Sequence, residues 1–318
     1  MTRLTFSRQL AIALSTALTI SLNCWGSGAL AGDPFRKSNP RPIGDKTEAA
    51  FVAIFRQGNY LEAKQRLAEA EKTESSDPLV YAMKASLAFD EGNFEAMNAA
   101  SSQTIAVAEK LTSKDPLRGN LYLAVGNFLQ GAYIFKTQGA VGAVPKLQQV
   151  LQYLDVAEKI SPSDPELNLL KGYLELMLAV NLPFSSPEQA IERFQKYAAP
   201  DYMVNRGIAT AYRDLYKKQM KAKNYNEAQQ YLAKANQYLD KALQASPDNP
   251  ELQYLKGQFL LTQGKDSKSI SLVKQSIPYF EKAKQKEAQL PNTVKVSLNH
   301  DYTRVVPEQI EQLSNGNK

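Results

Sequence analysis

Residues 153–172 read YLDVAEKISPSDPELNLLKG, and residues 238–257 read YLDKALQASPDNPELQYLKG. Twelve of the 20 aligned positions are identical, which indicates that the chain contains an internal repeat. Both copies hold an Asx-Pro pair followed by a glycine seven residues after the proline. An Asn or Asp side chain accepts hydrogen bonds from free backbone N–H groups at a helix start, and proline fits the first helical position. Each copy therefore predicts a helix that begins at the proline and carries a small residue two turns later.

Weaker forms of this signal recur elsewhere. Asp77-Pro78 and Asp115-Pro116 keep the pair, and Pro200 keeps the glycine seven residues on. Between these signals, apolar residues recur at helical spacing almost throughout. The sequence therefore predicts an all-α fold, an α-solenoid of about six helix-turn-helix hairpins. The predicted hairpins are 45–77, 78–115, 116–164, 165–199, 200–249 and 250–290.

One turn signal in the third hairpin is ambiguous. Gly126-Asn127-Phe128 repeats the spacing of the turn at Gly92, but it lies inside a continuous apolar stretch over 117–135. We therefore place this turn at 137–139.

Local signals refine the helix boundaries at four places. Residues 45–48 (DKTE) and 186–189 (SPEQ) predict capped starts. Pro145 and Pro278 predict the start, or a kink, of second helices.

The first 31 residues have the pattern of a secretory signal peptide. Arg3 and Arg8 precede an apolar stretch over 10–22, and Ala29-Leu30-Ala31 gives a small-x-small cleavage pattern. We expect cleavage after Ala31, a periplasmic location, and no stable membrane anchor after cleavage. The alternative is an uncleaved anchor, which needs a longer apolar run. The single cysteine of the chain, Cys24, lies in this leader, so the mature core would hold no disulfide.

The remaining chain divides into three parts. Residues 32–46 predict a Pro-rich linker, 47–290 the repeat domain, and 291–318 an irregular C-terminal tail. Within the tail, 293–298 alternates as a strand would, and 307–313 has the pattern of a short helix. The tail is expected either along the last hairpin, in the groove, or as a partner-dependent arm.

The residues needed for catalysis are scarce. After the leader the chain has one histidine, His300, and no cysteine, and it contains no nucleophile elbow, phosphate-binding loop or metal-ligand motif. We therefore expect no catalytic residues, no metal and no cofactor.

Charge also limits the partners. The 38 basic and 32 acidic residues are spread along the chain, which argues against a nucleic-acid partner. Five basic residues between Arg213 and Lys223 are interpreted as a solvated helix end rather than an anion site.

The repeat resembles the tetratricopeptide repeat, a helix-turn-helix unit of about 34 residues. With Pro250 as the first position, Gly257 and Gly264 fall where the family has small residues. The match covers nearly all of the chain after the leader. It departs in unit length, because proline-to-proline spacings from Pro78 are 38, 49, 35 and 50 residues. The combination of leader, linker and repeats is also similar to predicted periplasmic tetratricopeptide proteins of cyanobacteria.

The resemblance implies a right-handed superhelix in which the first helix of each unit lines a concave binding surface. The family's clamp for carboxylates is not expected, because its cations are mostly missing at the matching positions. The alternative for each lining residue is packing between helices. The residues that the resemblance places on this surface are Phe55, Arg56, Phe89, Asn120, Asn127, Phe128, Leu169, Tyr173, Tyr212, Tyr254 and Gln258.

Two functions remain open at this stage. The leading hypothesis is an exported, non-catalytic scaffold whose concave face binds a protein or peptide segment. The alternative is a small-ligand or glycan binder that uses a patch of Tyr173, Tyr212 and Tyr254. The oligomeric state remains unknown.

Overall fold

The computed structural model describes residues 32–181 and 186–315, and the predicted leader over 1–31 lies outside these ranges. Every regular element within the described ranges is helical. Consecutive helices pack in pairs, so the all-α solenoid of six hairpins is confirmed. The right-handed sense of the superhelix stays a prediction. The pairs are α1 (Asp45–Val52, followed by a π-helical turn, Ala53–Gln57) with α2 (Tyr60–Thr73), α3 (Pro78–Asp90) with α4 (Phe94–Leu111), α5 (Pro116–Gln138) with α6 (Ala140–Ile160), α7 (Pro165–Asn181) with α8 (Pro187–Lys196), α9 (Asp201–Lys221) with α10 (Tyr225–Ala245), and α11 (Pro250–Asp266) with α12 (Ile270–Gln285).

The Asx-Pro pairs begin helices as predicted. Asp77, Asp115 and Asn249 each cap the helix that follows by accepting a backbone N–H. Asp164 accepts from the Leu167 N–H at 2.9 Å. The side-chain acceptors replace the carbonyls that a helix start lacks.

The glycine seven residues after the proline makes room for an aromatic ring. A Cβ atom on Gly172 would lie 2.7 Å from the Phe194 ring, and one on Gly207 would lie 2.7 Å from the same ring. A Cβ on Gly257 would lie 2.7 Å from Phe280. The repeated small residue therefore lets an aromatic ring of a second helix pack directly against the backbone of a first helix.

The predicted turn of the third hairpin is confirmed, whereas Pro145 and Pro278 do not start helices and a kink at either stays a prediction. Gly126 lies inside α5, and the turn comes at Gly139 with φ of 87°, as predicted. Pro145 and Pro278 lie inside α6 and α12 rather than at their starts. Ser269 caps α12 instead, through the Leu272 N–H.

The predicted capping box over 45–48 is wrong. Helix α1 has Gly44 at its N-cap position, with no side-chain cap. The carboxylate of Glu74, at the end of α2, accepts from the backbone N–H groups of Lys46 and Thr47 at 3.0 and 2.8 Å. It also accepts from the Thr47 hydroxyl at 2.6 Å. Helix α1 is therefore capped by a side chain at the end of the next helix and not by its own first residues.

Replacing Glu74 with alanine is expected to lower the free energy of unfolding by about 1–2 kcal/mol, because the start of α1 loses its acceptor. Burial raises the pKa of Glu74, but the hydrogen bonds from Thr47 and Lys46 outweigh burial and hold the pKa below its ordinary value. The stabilisation is therefore complete above the ordinary pKa and is lost as the pH falls through the lowered value. Urea unfolding at pH 7 and at acidic pH measures both effects.

Glu71→Ala is the matched control for this variant. Glu71 lies on the same helix, is exposed, and among the described residues forms its ion pair with the partly exposed Lys84. Its loss should change the free energy of unfolding by less than about 1 kcal/mol. Equal losses for Glu71→Ala and Glu74→Ala would contradict the capping role.

The helices form an inner and an outer layer. Helix α3 buries 12 of its 13 residues, whereas its partner α4 buries five of 18. A helix that is buried on all sides belongs to a core. The first helices of the hairpins therefore form the inner layer, and the second helices cover them on the outside.

The solenoid closes on itself. The Tyr60 hydroxyl of the first hairpin donates to Glu251 of the last at 3.1 Å, and the Asn249 amide donates to the Arg56 carbonyl at 3.3 Å. Gly58, in the left-handed region with φ of 61°, lies against Asn249. Repeat arrays usually make contacts only between neighbouring units. Here the two ends meet, so much of the inner layer becomes a shared core.

The predicted linker is irregular but anchored. Residues 32–44, the N-terminal strap, contain no helix, yet Phe35 and Ile43 are buried. The Phe35 ring lies 5.0 Å from that of Phe51 in an edge-on contact. Helix α1 begins at Asp45, within the range predicted for the linker.

Two arginines of the strap bind carboxylates at the starts of inner helices. Arg36 pairs with the capping Asp164 of α7, and Arg41 pairs with the capping Asp115 of α5 at 2.7 Å. Arg41 also donates to the fully buried Glu166 at 3.1 Å. These charge-assisted contacts fix the strap against the rim of the inner layer.

The strand expected over 293–298 is wrong. These residues lie in α13 (Asn292–His300), which a π-helical turn (Asp301–Val305) joins to α14 (Val306–Asn315). Val294 and Leu298, four residues apart, pack against the last hairpin, while Val296 is 65% exposed. The short alternating run is therefore one face of a helix. Residues 292–315 form a C-terminal cap that packs on the last hairpin, and α14 matches the short helix predicted there.

A helix must be both long and apolar to span a bilayer. In the ranges 32–181 and 186–315, the structure has no helix that combines the length and apolar character needed to span a bilayer.

Candidate functional site

A cleft of about 380 Å³ lies between the inner helices α9 and α11 and the C-terminal cap. Helix α9 contributes Arg213 and Lys217, and α11 contributes Tyr254, Gln258 and Lys265. The cap contributes residues 297, 300, 301 and 305. The cleft therefore depends on the cap, which the sequence was expected to leave irregular.

A hydrogen-bonded carboxylate forms one wall of the cleft. The Tyr254 hydroxyl donates to Asp301 at 2.8 Å, and the Gln258 amide donates to the same oxygen at 3.0 Å. Gln258 also donates to the Tyr254 hydroxyl at 2.6 Å. These bonds hold the cap against α11 and satisfy the Asp301 carboxylate, so this wall is already complete without a ligand.

The opposite wall carries positive charge. Arg213 pairs with its neighbour Asp214 at 3.1 Å. Lys217 and Lys265 have no carboxylate within 4.0 Å in the part of the chain that the structure describes, since neither forms an ion pair there. Opposite charges at the cleft are therefore separated rather than paired.

The neighbouring positive charge of Arg213 lowers the pKa of Lys217. Arg213 lies one turn before it, and that charge, followed by burial, lowers the pKa of Lys217 to about 8. The Lys217 side chain is exposed, so we assign the effect mainly to repulsion by Arg213. An anion bound between the two cations would relieve this repulsion and raise the pKa of Lys217.

The base of the cleft is apolar. Phe259 and Leu261 are buried, and the Arg213 guanidinium lies 5.8 Å from the centroid of the Phe259 ring. The Tyr216 hydroxyl donates to Asp266 at 2.5 Å, which engages the carboxylate next to Lys265. The cleft thus combines an apolar base with cations on one side, a combination that suits a ligand with both an apolar and an anionic group.

Of the predicted surface residues, Tyr254 and Gln258 line this cleft. The other nine lie elsewhere. Five are buried in the inner layer, namely Phe55, Phe89, Asn127, Leu169 and Tyr173. Four are partly exposed, namely Arg56, Asn120, Phe128 and Tyr212.

The two predicted asparagines are engaged within the fold. Asn120 donates to the Pro116 carbonyl at 2.7 Å, and Asn127 donates to the Leu123 carbonyl at 2.8 Å. Asn127 also accepts from Lys146 at 2.8 Å. Asn127 therefore packs between helices, the alternative interpretation of these positions, whereas Asn120 bonds within its own helix.

The three tyrosines of the alternative hypothesis have separate aromatic neighbours. Tyr173 contacts Phe194 at a centroid distance of 5.1 Å, and Tyr254 contacts Phe280 at 5.9 Å. Tyr212 stacks between two tyrosines of α10, each at 5.9 Å. They therefore do not present one common patch to a ligand.

The interior also contains an apolar cavity of about 80 Å³, lined in part by Phe35, Phe128 and Tyr173. It is smaller than an engineered cavity of about 150 Å³ that binds benzene. A sugar ring, with its hydroxyl groups, would find little space and few polar partners there.

Clusters of His, Cys, Asp and Glu side chains are the usual sign of a metal site. Among the residues of the two described ranges, no three His, Cys, Asp or Glu side chains come together as metal ligands would.

Sequence reasoning missed most of the cleft. Lys217 and Arg213 were interpreted as a solvated helix end, although their four-residue spacing places them on one face of α9. Asp301 carried no recognisable signal, because its role depends on how the cap folds.

Comparison with known proteins agrees with the helical hairpins. A family model described as tetratricopeptide repeat matches residues 219–289, which include all of α10, α11 and α12. No curated protein and no solved structure matches the chain. This match over 219–289, together with six consecutive helical hairpins, supports a tetratricopeptide-like helical repeat superfamily for the chain.

Proposed function

We propose that this protein is a non-catalytic scaffold that binds an acidic segment of a protein partner in the cleft between α9, α11 and the C-terminal cap. Tetratricopeptide repeats generally mediate protein–protein interaction, which supports a protein partner. The observation that carries the proposal is the pair Lys217 and Lys265 beside the apolar base, two cations that form no ion pair within 4.0 Å in the described ranges, although Asp214 and Asp266 lie in the field of Lys217.

The closure of the solenoid directs partner binding to this cleft. Buried side chains such as Tyr173 and Leu169 offer little accessible surface to a partner, although their positions face inward in the family. The cleft volume lies at the lower end of ligand pockets, about 300–1,000 Å³. It therefore accommodates a few side chains of a partner segment, with a carboxylate near the two lysines and an apolar side chain on Phe259.

A charge reversal tests this proposal. In the double variant Lys217→Glu/Lys265→Glu, the partner's carboxylate would meet two negative charges and lose at least one charge-assisted hydrogen bond. Such a bond contributes about 1.5–3 kcal/mol, so recovery of the partner should fall about tenfold or more. Affinity capture from cell extract, with each captured protein quantified by mass spectrometry, measures the change.

The control variant carries the same change of charge outside the cleft. Lys110 and Lys159 are exposed on the outer helices α4 and α6, and Lys110→Glu/Lys159→Glu should retain the partner. A partner lost equally from both double variants would indicate a general charge effect and contradict binding in the cleft. The absence of any enriched protein would contradict the scaffold function itself.

We also propose that the protein acts after export, with cleavage after Ala31. The support is the pattern of Arg3, Arg8, the apolar stretch over 10–22 and the small-x-small residues. The N-terminal residue of the protein recovered from the cell envelope tests this, and Gly32 is expected.

A further inference from the structure

The backbone nitrogen of Gly32 lies against a carboxylate. It donates a hydrogen bond to Glu48 Oε2 at 2.9 Å, in a partly buried position. The residues that follow Gly32 are firmly placed, since Asp33 and Phe35 are both buried. The position of the Gly32 nitrogen is therefore set by the strap rather than by the contact with Glu48 alone.

The surroundings of Glu48 are acidic. Asp45 lies on the same helix and Asp33 lies on the strap, where it pairs with Arg36 at 2.7 Å. Glu48 has no lysine, arginine or histidine within 4.0 Å in the described ranges. On the neighbouring helix α9, Tyr202 lies in the field of both Glu48 and Arg56.

The pKa of Glu48 reflects this imbalance. Burial raises the pKa above its ordinary value, and the charges of Asp45 and Asp33 raise it further. The hydrogen bond from Gly32 opposes them by lowering the pKa. A neutral amide N–H compensates a half-buried carboxylate only in part, whereas an ammonium group would supply the missing charge.

We propose that Glu48 binds the α-ammonium group that forms on Gly32 when a signal peptidase hydrolyses the Ala31–Gly32 bond. This inference rests on the proposed export. Water adds across the amide, so that Ala31 leaves with a carboxylate and the Gly32 nitrogen becomes a primary amine that is protonated at neutral pH. No other bond changes.

The consequence is that removal of the leader stabilises the mature fold. Before cleavage, Gly32 and Glu48 share one neutral hydrogen bond; after cleavage, they form a partly buried ion pair. The pair fixes the first residue of the strap, whose Phe35 packs against Phe51 and whose Arg36 binds the cap of α7. Removal of the leader therefore strengthens the attachment of the N-terminal strap to the rest of the fold.

The test compares the mature chain, residues 32–318, with a free N-terminal Gly32 and with an acetylated one. Acetylation restores a neutral amide at the same atom and adds only a two-carbon acyl group. The free form should melt about 3 °C higher than the acetylated form at pH 7. In Glu48→Gln the two forms should melt together, while in Glu109→Gln, a control on the exposed face of α4, the difference should persist.

A pH series supplies a second readout that does not depend on a variant. The ion pair should raise the pKa of the α-amino group above its ordinary value of about 8. Stabilisation by a group with a raised pKa is complete below the unfolded value and disappears as the pH rises through the folded value. The difference in melting temperature between the free and acetylated forms should therefore vanish at strongly alkaline pH.

Two outcomes would overturn the inference. Equal melting temperatures of the free and acetylated forms at pH 7 would show that no ion pair forms, and a difference that survives Glu48→Gln would assign it to another group. The N-terminal residue of the exported protein is a separate measurement. A terminus other than Gly32 would overturn the proposed processing, even if the prepared chain showed the ion pair.

Discussion

Replacing Glu251 with alanine is expected to lower the free energy of unfolding by about 3–5 kcal/mol, because it removes the carboxylate that pairs with the buried Arg206 guanidinium. Arg206 donates two hydrogen bonds to Glu251, and the two side chains are only 3% and 6% exposed. Glu251 also accepts from Tyr60, so the same substitution removes a contact between the first and last hairpins. Urea unfolding followed by circular dichroism measures the loss.

Asp90 does not replace Glu251 as a counter-ion. It is also buried, and burial, together with the Glu251 charge, raises its pKa well above the ordinary value. A raised pKa makes this carboxyl group harder to ionise, so it is a weaker counter-ion than Glu251. The removal of Glu251 would lower the pKa of Asp90 somewhat, which offsets only part of the loss.

Asp248→Ala is the control for this prediction. Asp248 is three residues away, is 80% exposed, and lies 3.5 Å from Lys286. An exposed ion pair contributes about 0–1 kcal/mol, so this variant should remain close to the wild-type protein. If Glu251→Ala were no less stable than Asp248→Ala, the buried pair would not be what holds the ends of the solenoid together.

The hairpins could be predicted because their signals are local. An Asx-Pro pair caps and starts a helix with atoms from a few neighbouring residues, and Asp77 and Asn249 do this in the structure. The closure could not be predicted in the same way. Tyr60 and Glu251 are separated by 191 residues, and neither belongs to a motif that indicates the other.

The groove residues depend on this closure. An inward position in an open solenoid faces solvent, whereas an inward position in a closed one faces other inner helices. Leu169 and Tyr173 were therefore predicted to face inward but pack in the core, where no partner can reach them without rearrangement. Their contact with a partner stays a prediction.

The part of the cleft that the C-terminal cap forms could not be predicted from local sequence either. Tyr254 and Gln258 were predicted from their place in the repeat, but Asp301, which binds both, lies beyond the repeats. The run Val294, Val296 and Leu298 fits a strand and a helix face equally over so few residues. Packing of Val294 and Leu298 against the last hairpin decides in favour of the helix.

Replacing Phe194 with alanine is expected to lower the free energy of unfolding by about 3–5 kcal/mol, because its removal leaves a cavity in the core. Phe194 is 1% exposed, and its ring lies between Gly172 of α7 and Gly207 of α9. It also makes an edge-on contact with Tyr173. Tyr197→Ala, which removes a 40% exposed ring just after the same helix, should change stability by about 0.5 kcal/mol.

A second substitution tests whether position 207 is glycine because the Phe194 ring packs against it. In the wild-type chain, Gly207→Ala places a Cβ 2.7 Å from Phe194, and this overpacking should lower stability by about 1–3 kcal/mol. In the Phe194→Ala background that clash is gone, and alanine is a better helix former than glycine by about 1 kcal/mol. Gly207→Ala should therefore reverse its sign and become neutral or stabilising in that background. A loss of equal size in both backgrounds would show that position 207 needs glycine because of the α9 backbone and not because of contact with the Phe194 ring. It would contradict the interpretation that the glycine of the Asx-Pro…Gly repeat makes room for an aromatic ring.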